Sequence, residues 1–393
     1  MPTDLAFWLF WLSVALIAYT YFGFPLLLYL RARFAGNSPV VGDALPPITV
    51  IIAAHNEAPV IQDKLANTLA LDYPPGLLEI IVASDGSDDG TDQLVRDFSA
   101  PGLTLISLPR GGKNAALNAA VAMVKDPERI LLFTDADTTL DPAAARLLAA
   151  HFAAPEVGGV GGDFHYYDPG SSGAGELSYW SLDRWLKTQQ SRGGSLTSAT
   201  GQIYALRRHL YQPCPPGVTD DFFISTGAIA GGMRLVFEPR AHGSGPVAPA
   251  EREFDRKVRI SSAGFAALRL RSDLLNPFKH GFYAVQLLTH KVLRRMILVP
   301  LVLLMISAPV LWADASGWWR WFYGLAALGL LALQGAALAG WLLRGTPLSR
   351  SKLLSLPLYF DMVNIAAMIG LFNMLRGIAT YDRWNTRRDQ ESS

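Results

Sequence analysis

Long apolar stretches dominate this sequence and restrict what the chain can fold into. The first runs from Leu5 to Leu30 and is long enough, as a helix, to cross a hydrocarbon core of about 30 Å. A cleaved signal peptide fits poorly, because the run is too long and no basic segment precedes it. Three further spans are predicted near Met296–Ala313, Trp319–Leu343 and Leu353–Leu375. We therefore expect a multi-pass protein of the inner or plasma membrane with about four transmembrane helices.

Charge and cysteine content exclude several other classes of protein. Only 17% of the residues are charged, against roughly 25% in soluble proteins, and the deficit is confined to the apolar stretches. The net charge of +1 and the lack of a basic run with interleaved aromatics argue against a nucleic-acid partner. The single cysteine, Cys214, excludes an internal disulfide framework and a zinc knuckle.

Short β-branched runs alternate with helical segments after a polar linker over Gly36–Pro47. The runs are Ile48–Ala54, Glu79–Ser84, Leu103–Ser107 and Arg129–Thr134, with helices starting near Pro59, Thr91, Asn114 and Pro142. Continuous apolar strands separated by helices indicate an α/β fold with a mostly parallel sheet and helices on both faces. Ligands of such sheets bind beyond the carboxyl ends of the strands.

Polar clusters follow three of these strands. Asp135 and Asp137 come directly after a buried strand, where their carboxylates are held rigidly. Mg²⁺ is commonly bound by one or two carboxylates together with substrate phosphates, and such a cation neutralises a diphosphate leaving group. An Asp-x-Asp triplet alone also fits a solvated turn or a helix cap.

The other two clusters are His55-Asn56-Glu57 and the segment SDGSDDGT that Asp85 opens. We predict a functional role for Asp85, because it ends a strand at the same sheet edge as the Asp135 cluster. Asp88, Asp89 and Thr91 are predicted to form a turn and a helix cap.

A basic amphipathic stretch from about Arg252 to Arg295 predicts helices that lie in the headgroup interface. The basic residues that flank the spans, among them Arg31, Arg33, Lys291, Arg294 and Arg295, place the catalytic domain in the cytoplasm. Four crossings would put Arg376, Arg383, Arg387 and Arg388 outside, so either one span is re-entrant or the tail breaks this tendency.

Five regions are therefore predicted along the chain. They are a transmembrane helix and its flank over 1–35, a catalytic domain over 36–250, interfacial helices over 251–295, three transmembrane helices over 296–376 and a polar tail over 377–393.

The ordered motifs resemble those of the membrane-bound family 2 glycosyltransferases, which have the GT-A fold. The three clusters are joined by Gly111-Gly112-Lys113-Asn114, and Thr200–Tyr211 is similar to the family's acceptor-side segment. TDDF (Thr219–Phe222) is similar to the TED-type motif, with Asp in place of Glu, and Glu253–Ile260 is similar to the segment that leads into the interface helices. The resemblance extends from about Ile48 to Arg388 and is strongest to synthases similar to those of chitin oligosaccharides, hyaluronan and cellulose.

The resemblance implies a role for each candidate residue. Asp135 and Asp137 would hold Mg²⁺ or Mn²⁺, and Asp221 would be the general base for the acceptor hydroxyl, with its neighbour Asp220 as the alternative. Direct displacement at the anomeric carbon would invert its configuration. The implied donor-binding residues are Ala53, His55, Asn56, Glu57, Asp85, Lys113, Asn114, Asp135, Arg256 and Arg259.

One segment departs from the family's pattern. Processive members carry Gln-x-x-Arg-Trp, whereas this chain reads Arg256-Lys257-Val258-Arg259-Ile260. Arg259 retains a cation for phosphate, with Arg256 as reinforcement, although both arginines also fit an interfacial helix that faces lipid headgroups. The missing tryptophan argues against long-chain synthesis.

Three hypotheses for the function follow. The leading one is an inverting enzyme that moves a sugar from a nucleotide donor, expected to be UDP-linked, to a growing saccharide in contact with membrane lipids. The second is a transferase that adds a single sugar to a lipid or lipid-linked acceptor. The third is a non-enzymatic transporter with a nucleotide-binding domain, against which the complete acidic clusters argue.

Overall fold

The computed structural model describes residues 2–37, 41–43, 45–167, 174–246 and 253–378. The chain divides into two compact units. Unit 1 is built from Met1–Leu27, Glu251–Ser262 and Val285–Ile378, and unit 2 from Leu28–Ala250 and Ala263–Ala284. The α-helices are α1 Thr3–Ala18, α2 Phe24–Phe34, α3 Ala58–Leu69, α4 Thr91–Phe98, α5 Lys113–Met123, α6 Ala144–Ala150, α7 Ala174–Gly193, α8 Asp220–Ser225, α9 Gly227–Ala230, α10 Glu253–Leu270, α11 Pro277–His280, α12 Phe282–Leu287, α13 Leu298–Asp314, α14 Gly317–Leu342 and α15 Lys352–Leu375.

Unit 2 contains an eight-stranded mixed sheet in the order β3-β2-β1-β4-β7-β6-β8-β5. The strands are β1 Ile48–Ala54, β2 Leu78–Asp85, β3 Leu103–Leu108, β4 Ile130–Asp135, β5 Thr139–Leu140, β6 Val157–Tyr167, β7 Tyr204–Arg207 and β8 Arg234–Pro246. Strands β3, β2, β1 and β4 are parallel neighbours, and β6 is parallel to β8. β7 runs antiparallel to β4 and β6, and β5 runs antiparallel to β8.

The central strand is buried on both faces, as its continuous apolar sequence predicts. All seven residues of β1 are buried. Ile48, Val50 and Ile52 share one core cluster with residues of α3 and α6. The alternate residues point to the opposite face, where α5 packs against β1 and β2.

The predicted strands and helix starts are confirmed to within two residues, which includes the helix expected near Pro142 that begins at Ala144. The α/β fold and the helices on both faces are also confirmed. The second half of the sheet is less parallel than the sequence predicted, because β7 reverses direction between β4 and β6. This reversal involves the four-residue strand Tyr204–Arg207, which is too short to show a strand period.

A buried ion pair fastens β8 to the chain after α6. His151 Nε2 lies 2.9 Å from Glu238 Oε2, and Glu238 Oε1 accepts hydrogen bonds from the backbone and side chain of Arg240. Burial alone would raise the pKa of Glu238, but the hydrogen bonds from Arg240 and His151 outweigh it and lower the pKa to about 2. The ionised carboxylate is therefore the form that stabilises unit 2.

We expect Glu238→Gln to remove a pH-dependent part of this stability. A carboxyl whose pKa falls from 4.5 to about 2 on folding contributes stability above pH 4.5, and loses it as the pH falls toward 2. At neutral pH the substitution should cost roughly 2–3 kcal/mol. Thermal unfolding at several pH values should show the gap between wild type and variant closing below pH 4.5. Glu156→Gln, at an exposed position, is the matched control, and a gap that stays constant with pH would refute the assignment.

Unit 1 consists mainly of long apolar helices. Among the residues that the structure describes, three helical segments are long and apolar enough to cross a membrane: Thr3–Phe34, Gly317–Leu342 and Lys352–Leu375. A fourth crossing arises only if Phe282–Met296 and Leu298–Asp314, which are bent by 52°, form one broken span. The predicted span near Met296–Ala313 is a helix of 17 residues, Leu298–Asp314, with Pro309 inside it.

Aromatic residues join α1 to α14 within unit 1. The rings of Trp11 and Phe322 stack with centroids 5.8 Å apart, and Trp11 donates a hydrogen bond to the Tyr323 hydroxyl. Trp318 and Trp321 are exposed instead, as expected of aromatic residues at a membrane–water interface.

Of the predicted polar tail, only residues 377 and 378 are described, so Arg383, Arg387 and Arg388 lie outside the described residues.

Candidate active site

The parallel strands bring the predicted clusters to one edge of the sheet in unit 2. In the register of β1 with β4, Ala53 lies beside Asp135. In the register of β1 with β2, Ala53 lies beside Ala83, two residues before Asp85. The carboxyl ends of the three strands therefore form one continuous edge, as expected for the ligand-binding side of such a sheet.

Asp85 is fully buried and orders the loop that follows β3. Its Oδ1 accepts hydrogen bonds from the backbone N–H groups of Gly111 and Gly112 at 2.6 and 2.9 Å. The Arg110 guanidinium lies 3.2 Å from Asp85 Oδ2. Asp85 thus fixes the backbone that enters α5 at Lys113. Arg110 is a residue that the sequence analysis missed, although it directly precedes the glycine pair noted there.

Gly86 allows this loop to approach Asp85. Its φ is +63°, and a Cβ on this residue would lie 2.9 Å from the backbone nitrogen of Arg110. Gly90, in the same segment, has a φ of +94°, but a Cβ there would meet nothing within 4 Å. The positive φ favours glycine at both positions. Of the two, only Gly86 would also clash with a neighbouring backbone if it carried a Cβ.

We expect Gly86→Ala to weaken donor binding and Gly90→Ala to leave it unchanged. The free energy of unfolding of each variant should fall by about 1–2 kcal/mol, because a residue with a Cβ is strained in the left-handed region. Gly86→Ala must in addition displace Arg110 and the N–H groups that bind Asp85. Nucleotide binding by calorimetry and thermal unfolding of the two variants would check this, and equal donor affinities would show that the close approach is unimportant.

The His55-Asn56-Glu57 cluster is joined to the loop after β2. His55 is buried, with Nδ1 2.8 Å from the backbone oxygen of Asp85. Asn56 has a φ of +54°, and its Oδ1 accepts a hydrogen bond from the backbone of Asp88. The backbone N–H of Glu57 donates to Thr91 Oγ1. These contacts hold the ends of β1 and β2 together.

Asp89 has a structural role in this turn, as the sequence predicted, but the prediction that Thr91 caps the next helix is wrong. Asp89 accepts hydrogen bonds from the backbone N–H groups of Ala58 and Thr91, at the starts of α3 and α4. The Asp89 carboxylate therefore binds the first backbone N–H group of both α3 and α4. The residue at the N-cap position of α4 is Gly90.

Lys113 links the two acidic groups of the site. Its ammonium lies 2.7 Å from Asp135 Oδ1 and 3.0 Å from Asp220 Oδ2. Asp135 ends β4, whereas Asp220 begins α8, so one side chain connects the predicted metal-binding motif with the TDDF motif. Burial raises the pKa of Asp135, and the Lys113 charge opposes that shift.

Asp135 and Asp137 lie in a tight turn between β4 and β5. The backbone N–H of Thr138 donates to the backbone oxygen of Asp135, which closes the turn. Both aspartates are half-buried, and carboxylates are the hard oxygen ligands that Mg²⁺ and Mn²⁺ take. The Lys113 ammonium on Asp135 shows that a positive charge is accommodated at this position.

Two asparagines on α5 hold the segment that precedes α8. Asn114 Nδ2 donates to the backbone oxygens of Pro215 and Val218. Asn118, one turn later, donates to the backbone oxygen of Cys214 and accepts from its N–H. The amide of Asn114 thus contacts protein backbone, which indicates a positioning role beside the donor contact predicted from sequence. Asn118 was missed, although its spacing of four from Asn114 places both on one face of a helix.

Asp221 follows Asp220 in the first turn of α8 and is less buried than its neighbour. Its Oδ1 accepts a hydrogen bond from the backbone of Phe222. The Cβ of Asp221 lies 3.4 Å from the position that a Cβ on Gly201 would take. The structure therefore brings the TDDF motif next to the acceptor-side segment Thr200–Tyr211.

A second group of potential metal ligands lies on β6 and β8. The ligand atoms of Asp163, His165 and His242 all lie within 4.8 Å of one another. Arg184 of α7 forms an ion pair with Asp163, and its Nη2 lies 2.8 Å from His165 Nε2. A protein cation thus already compensates the charge of this cluster.

Arg256 and Arg259 belong to unit 1, unlike the other predicted site residues. Arg256 pairs with Glu253, one turn earlier on α10, with Nη2 2.8 Å from Oε2. The same part of α10 contacts α15, where Asn373 Nδ2 lies 3.4 Å from Ser262 Oγ. Their predicted role in donor binding stays a prediction.

The architecture and the clustered motifs agree with the GT-A fold that the sequence predicted. Residues 49–213 match the model of the glycosyl transferase family 2. This segment is therefore similar to the family 2 glycosyltransferases. The match agrees with the family that the sequence motifs resemble.

Curated relatives are synthases of a polysaccharide. The poly-beta-1,6-N-acetyl-D-glucosamine synthase of Staphylococcus aureus strain COL is 29% identical over 209 residues, which cover 51% of this chain and 50% of the relative. The enzyme of the same name from Staphylococcus epidermidis is 27% identical over 204 residues, 49% of this chain and 48% of the relative. The chain thus spans about half the length of these relatives.

One solved structure shares the fold over nearly the whole chain. It is a mannosyltransferase from Pyrobaculum calidifontis in complex with GDP-Man and Mn²⁺, 24% identical, with a TM-score of 0.68. The similarity covers 94% of this chain and 99% of that chain.

Proposed function

We propose that the protein is an inverting glycosyltransferase that moves a sugar from a UDP-linked donor to a saccharide acceptor. The observation that carries the proposal is the Lys113 ammonium, which contacts both Asp135 and Asp220. Through this contact Asp135, the proposed ligand of a metal-bound donor, lies close to the TDDF motif, which contains the candidate base. The curated relatives favour N-acetylglucosamine as the first sugar to test.

The residues of the edge have distinct proposed roles. Ala53, His55, Asn56 and Glu57 border the nucleoside, and Asp85 contacts it or holds the loop that does. Lys113 meets the donor diphosphate, where an ammonium forms charge-assisted hydrogen bonds. Asp135 and Asp137 hold a divalent cation, which when bound neutralises the charge of the departing diphosphate.

Asp221 is the proposed general base. It takes the proton of the acceptor hydroxyl while the hydroxyl oxygen forms a bond to the anomeric carbon. The bond from that carbon to the diphosphate oxygen breaks on the opposite side, and its electron pair leaves with UDP. The displacement turns an α-linked donor into a β-linked product.

A donor screen tests this function. The full chain in detergent should release nucleotide from one UDP-sugar in the presence of Mn²⁺ or Mg²⁺ and a saccharide acceptor. GDP-sugars serve as the comparison, because the solved mannosyltransferase holds GDP-Man. Turnover of a GDP-sugar alone would reject the UDP assignment, and retention of the α-configuration in the product, seen by NMR, would reject inversion.

The second candidate function is addition of a single sugar to a lipid or lipid-linked acceptor, and Ile260 favours it. Ile260 stands where processive members of the family have a tryptophan, and its side chain lacks the aromatic face on which an acceptor sugar would stack. Product size separates the two functions, because a polymerising enzyme gives a ladder and a single-addition enzyme gives one species. Ile260→Trp should lengthen the product if the missing aromatic residue limits its size.

We further propose that the catalytic domain lies in the cytoplasm, as the basic residues that flank the spans suggest. A tag between α13 and α14, near Asp314–Gly317, should be cleaved by protease added outside intact cells. A tag near Thr346–Ser351, between α14 and α15, should be cleaved only after permeabilisation. The reverse pattern would place the catalytic domain outside.

A further inference from the structure

A lysine lies buried behind the Asp135–Asp137 turn, on the core-facing side of α3. The buried residues of α3 are Ile61, Lys64, Leu65 and Thr68, a spacing that defines the inner face of an amphipathic helix. Lys64 is 3% exposed. Burying an ammonium costs several kcal/mol unless its hydrogen bonds are made, so an apolar residue would be the ordinary occupant.

The Lys64 ammonium bonds to both sides of the turn. It donates to Thr134 Oγ1 at 2.9 Å, just before Asp135, and to the backbone oxygen of Thr138 at 2.7 Å, just after Asp137. Thr134 and Thr138 are themselves buried. The two bonds thus bracket the three residues that carry the proposed metal ligands.

Asn67, one turn further along α3, extends the same attachment. Its Nδ2 donates to the backbone oxygen of Leu140 at 2.8 Å, and its Oδ1 accepts from the Leu140 N–H at 2.9 Å. Lys64 and Asn67 therefore tie the backbone from Thr134 to Leu140 to one rigid helix. These contacts run to a hydroxyl and to backbone groups, so what they fix is the path of the chain.

We propose that Lys64, supported by Asn67, is the positioning residue of the Asp135–Asp137 turn and sets the geometry in which the two carboxylates receive a divalent cation. The inference rests on the metal site of the proposed function. Lys64 touches neither donor nor acceptor in this assignment and acts through the backbone of the turn. Groups that orient metal ligands in this way typically contribute 10–100-fold to metal affinity.

The charge of Lys64 makes a direct test possible. Burial lowers the pKa of Lys64 to about 7, so the measurement is made below that pH, where Lys64 is charged. Removing a positive charge near two carboxylates should then by itself tighten the binding of a cation. Loss of the two hydrogen bonds from Lys64 should instead weaken cation binding, because the turn can then relax. The sign of the change in Mn²⁺ affinity therefore separates a positioning role from a purely electrostatic one.

Mn²⁺ binding to the full chain in detergent, followed by the EPR signal of the free ion, supplies the measurement. Lys64→Met should raise the Mn²⁺ dissociation constant by about 10–100-fold. Asn67→Ala should shift it in the same direction by less, and provides a second variant if Lys64→Met does not fold. Leu65→Ala, on the same buried face, is the matched control, which should lower the unfolding temperature and leave the Mn²⁺ affinity unchanged.

The outcomes separate this inference from the function on which it rests. If Asp135→Asn and Asp137→Asn leave Mn²⁺ binding unchanged, or wild type binds none, the metal site itself is wrong and the inference is overturned with it. If those two variants lose Mn²⁺ while Lys64→Met and Asn67→Ala bind it as well as wild type or more tightly, only the positioning role is overturned. A loss of affinity in Leu65→Ala equal to that in Lys64→Met would also overturn it, since general destabilisation would explain both.

Discussion

Replacing Asp135 or Asp137 with alanine should reduce sugar transfer by roughly a thousandfold or more, since a catalytic cation supplies several kcal/mol and each 1.4 kcal/mol is tenfold in rate. Chelation of metal from wild type should have the same effect, reversed by added Mn²⁺ or Mg²⁺. Nucleotide release and product formation, measured for each variant with and without EDTA, check this expectation.

Asp72→Ala is the matched control for these variants. Asp72 is an exposed aspartate that pairs with Arg146 on the surface, so its loss should cost little and leave the rate unchanged. Full activity of wild type in chelator would contradict the metal assignment. The reaction would then have to depend on Lys113 and other protein cations for the leaving diphosphate.

Asp221→Asn should lower the rate of transfer by about 10²–10⁴-fold while donor binding stays nearly intact, because only the base is lost. Asp220→Asn should behave differently. The Asp220 carboxylate contacts Lys113, so its loss should alter how that ammonium meets the donor, and should change the donor KM more than kcat. Single-turnover kinetics together with donor titrations would separate the two effects.

The reverse result would exchange the two roles. If Asp221→Asn loses donor affinity and Asp220→Asn loses only the chemical step, Asp220 is the base. Neither variant should lose much stability, because asparagine keeps the size of each side chain and Lys113 keeps its contact with Asp135.

The clustering of the candidate residues could be predicted because they lie at strand ends. The strands that precede Asp85 and Asp135 are short apolar runs, so their ends are visible in the sequence, and parallel strands bring such ends to one edge. The same reasoning found neither β6, which is rich in glycine, nor β7, which has four residues, because such segments show no clear period. The parallel half of the sheet was therefore predicted more completely than the mixed half.

The residues that the sequence analysis missed act through contacts between distant segments. Arg110 and Asn118 look like ordinary polar residues, and Lys64 resembles any lysine in the middle of a helix. Only the packing of α3 and α5 shows that Lys64 and Asn118 bond to backbone groups roughly 70 to 100 positions away.

The sequence alone determined the apolar spans, the α/β pattern and the acidic motifs, because these depend on residue type and local spacing. The tertiary structure decided which charges meet. Lys113 was expected to face the donor, and the fold places it between Asp135 and Asp220. Nothing in the sequence indicated that Lys64 belongs to the site. Its burial beneath the Asp135–Asp137 turn, with a hydrogen bond to Thr138, makes it a candidate for positioning that turn. Such pairings depend on how helices pack on the sheet, and no periodicity within a single segment reports that packing.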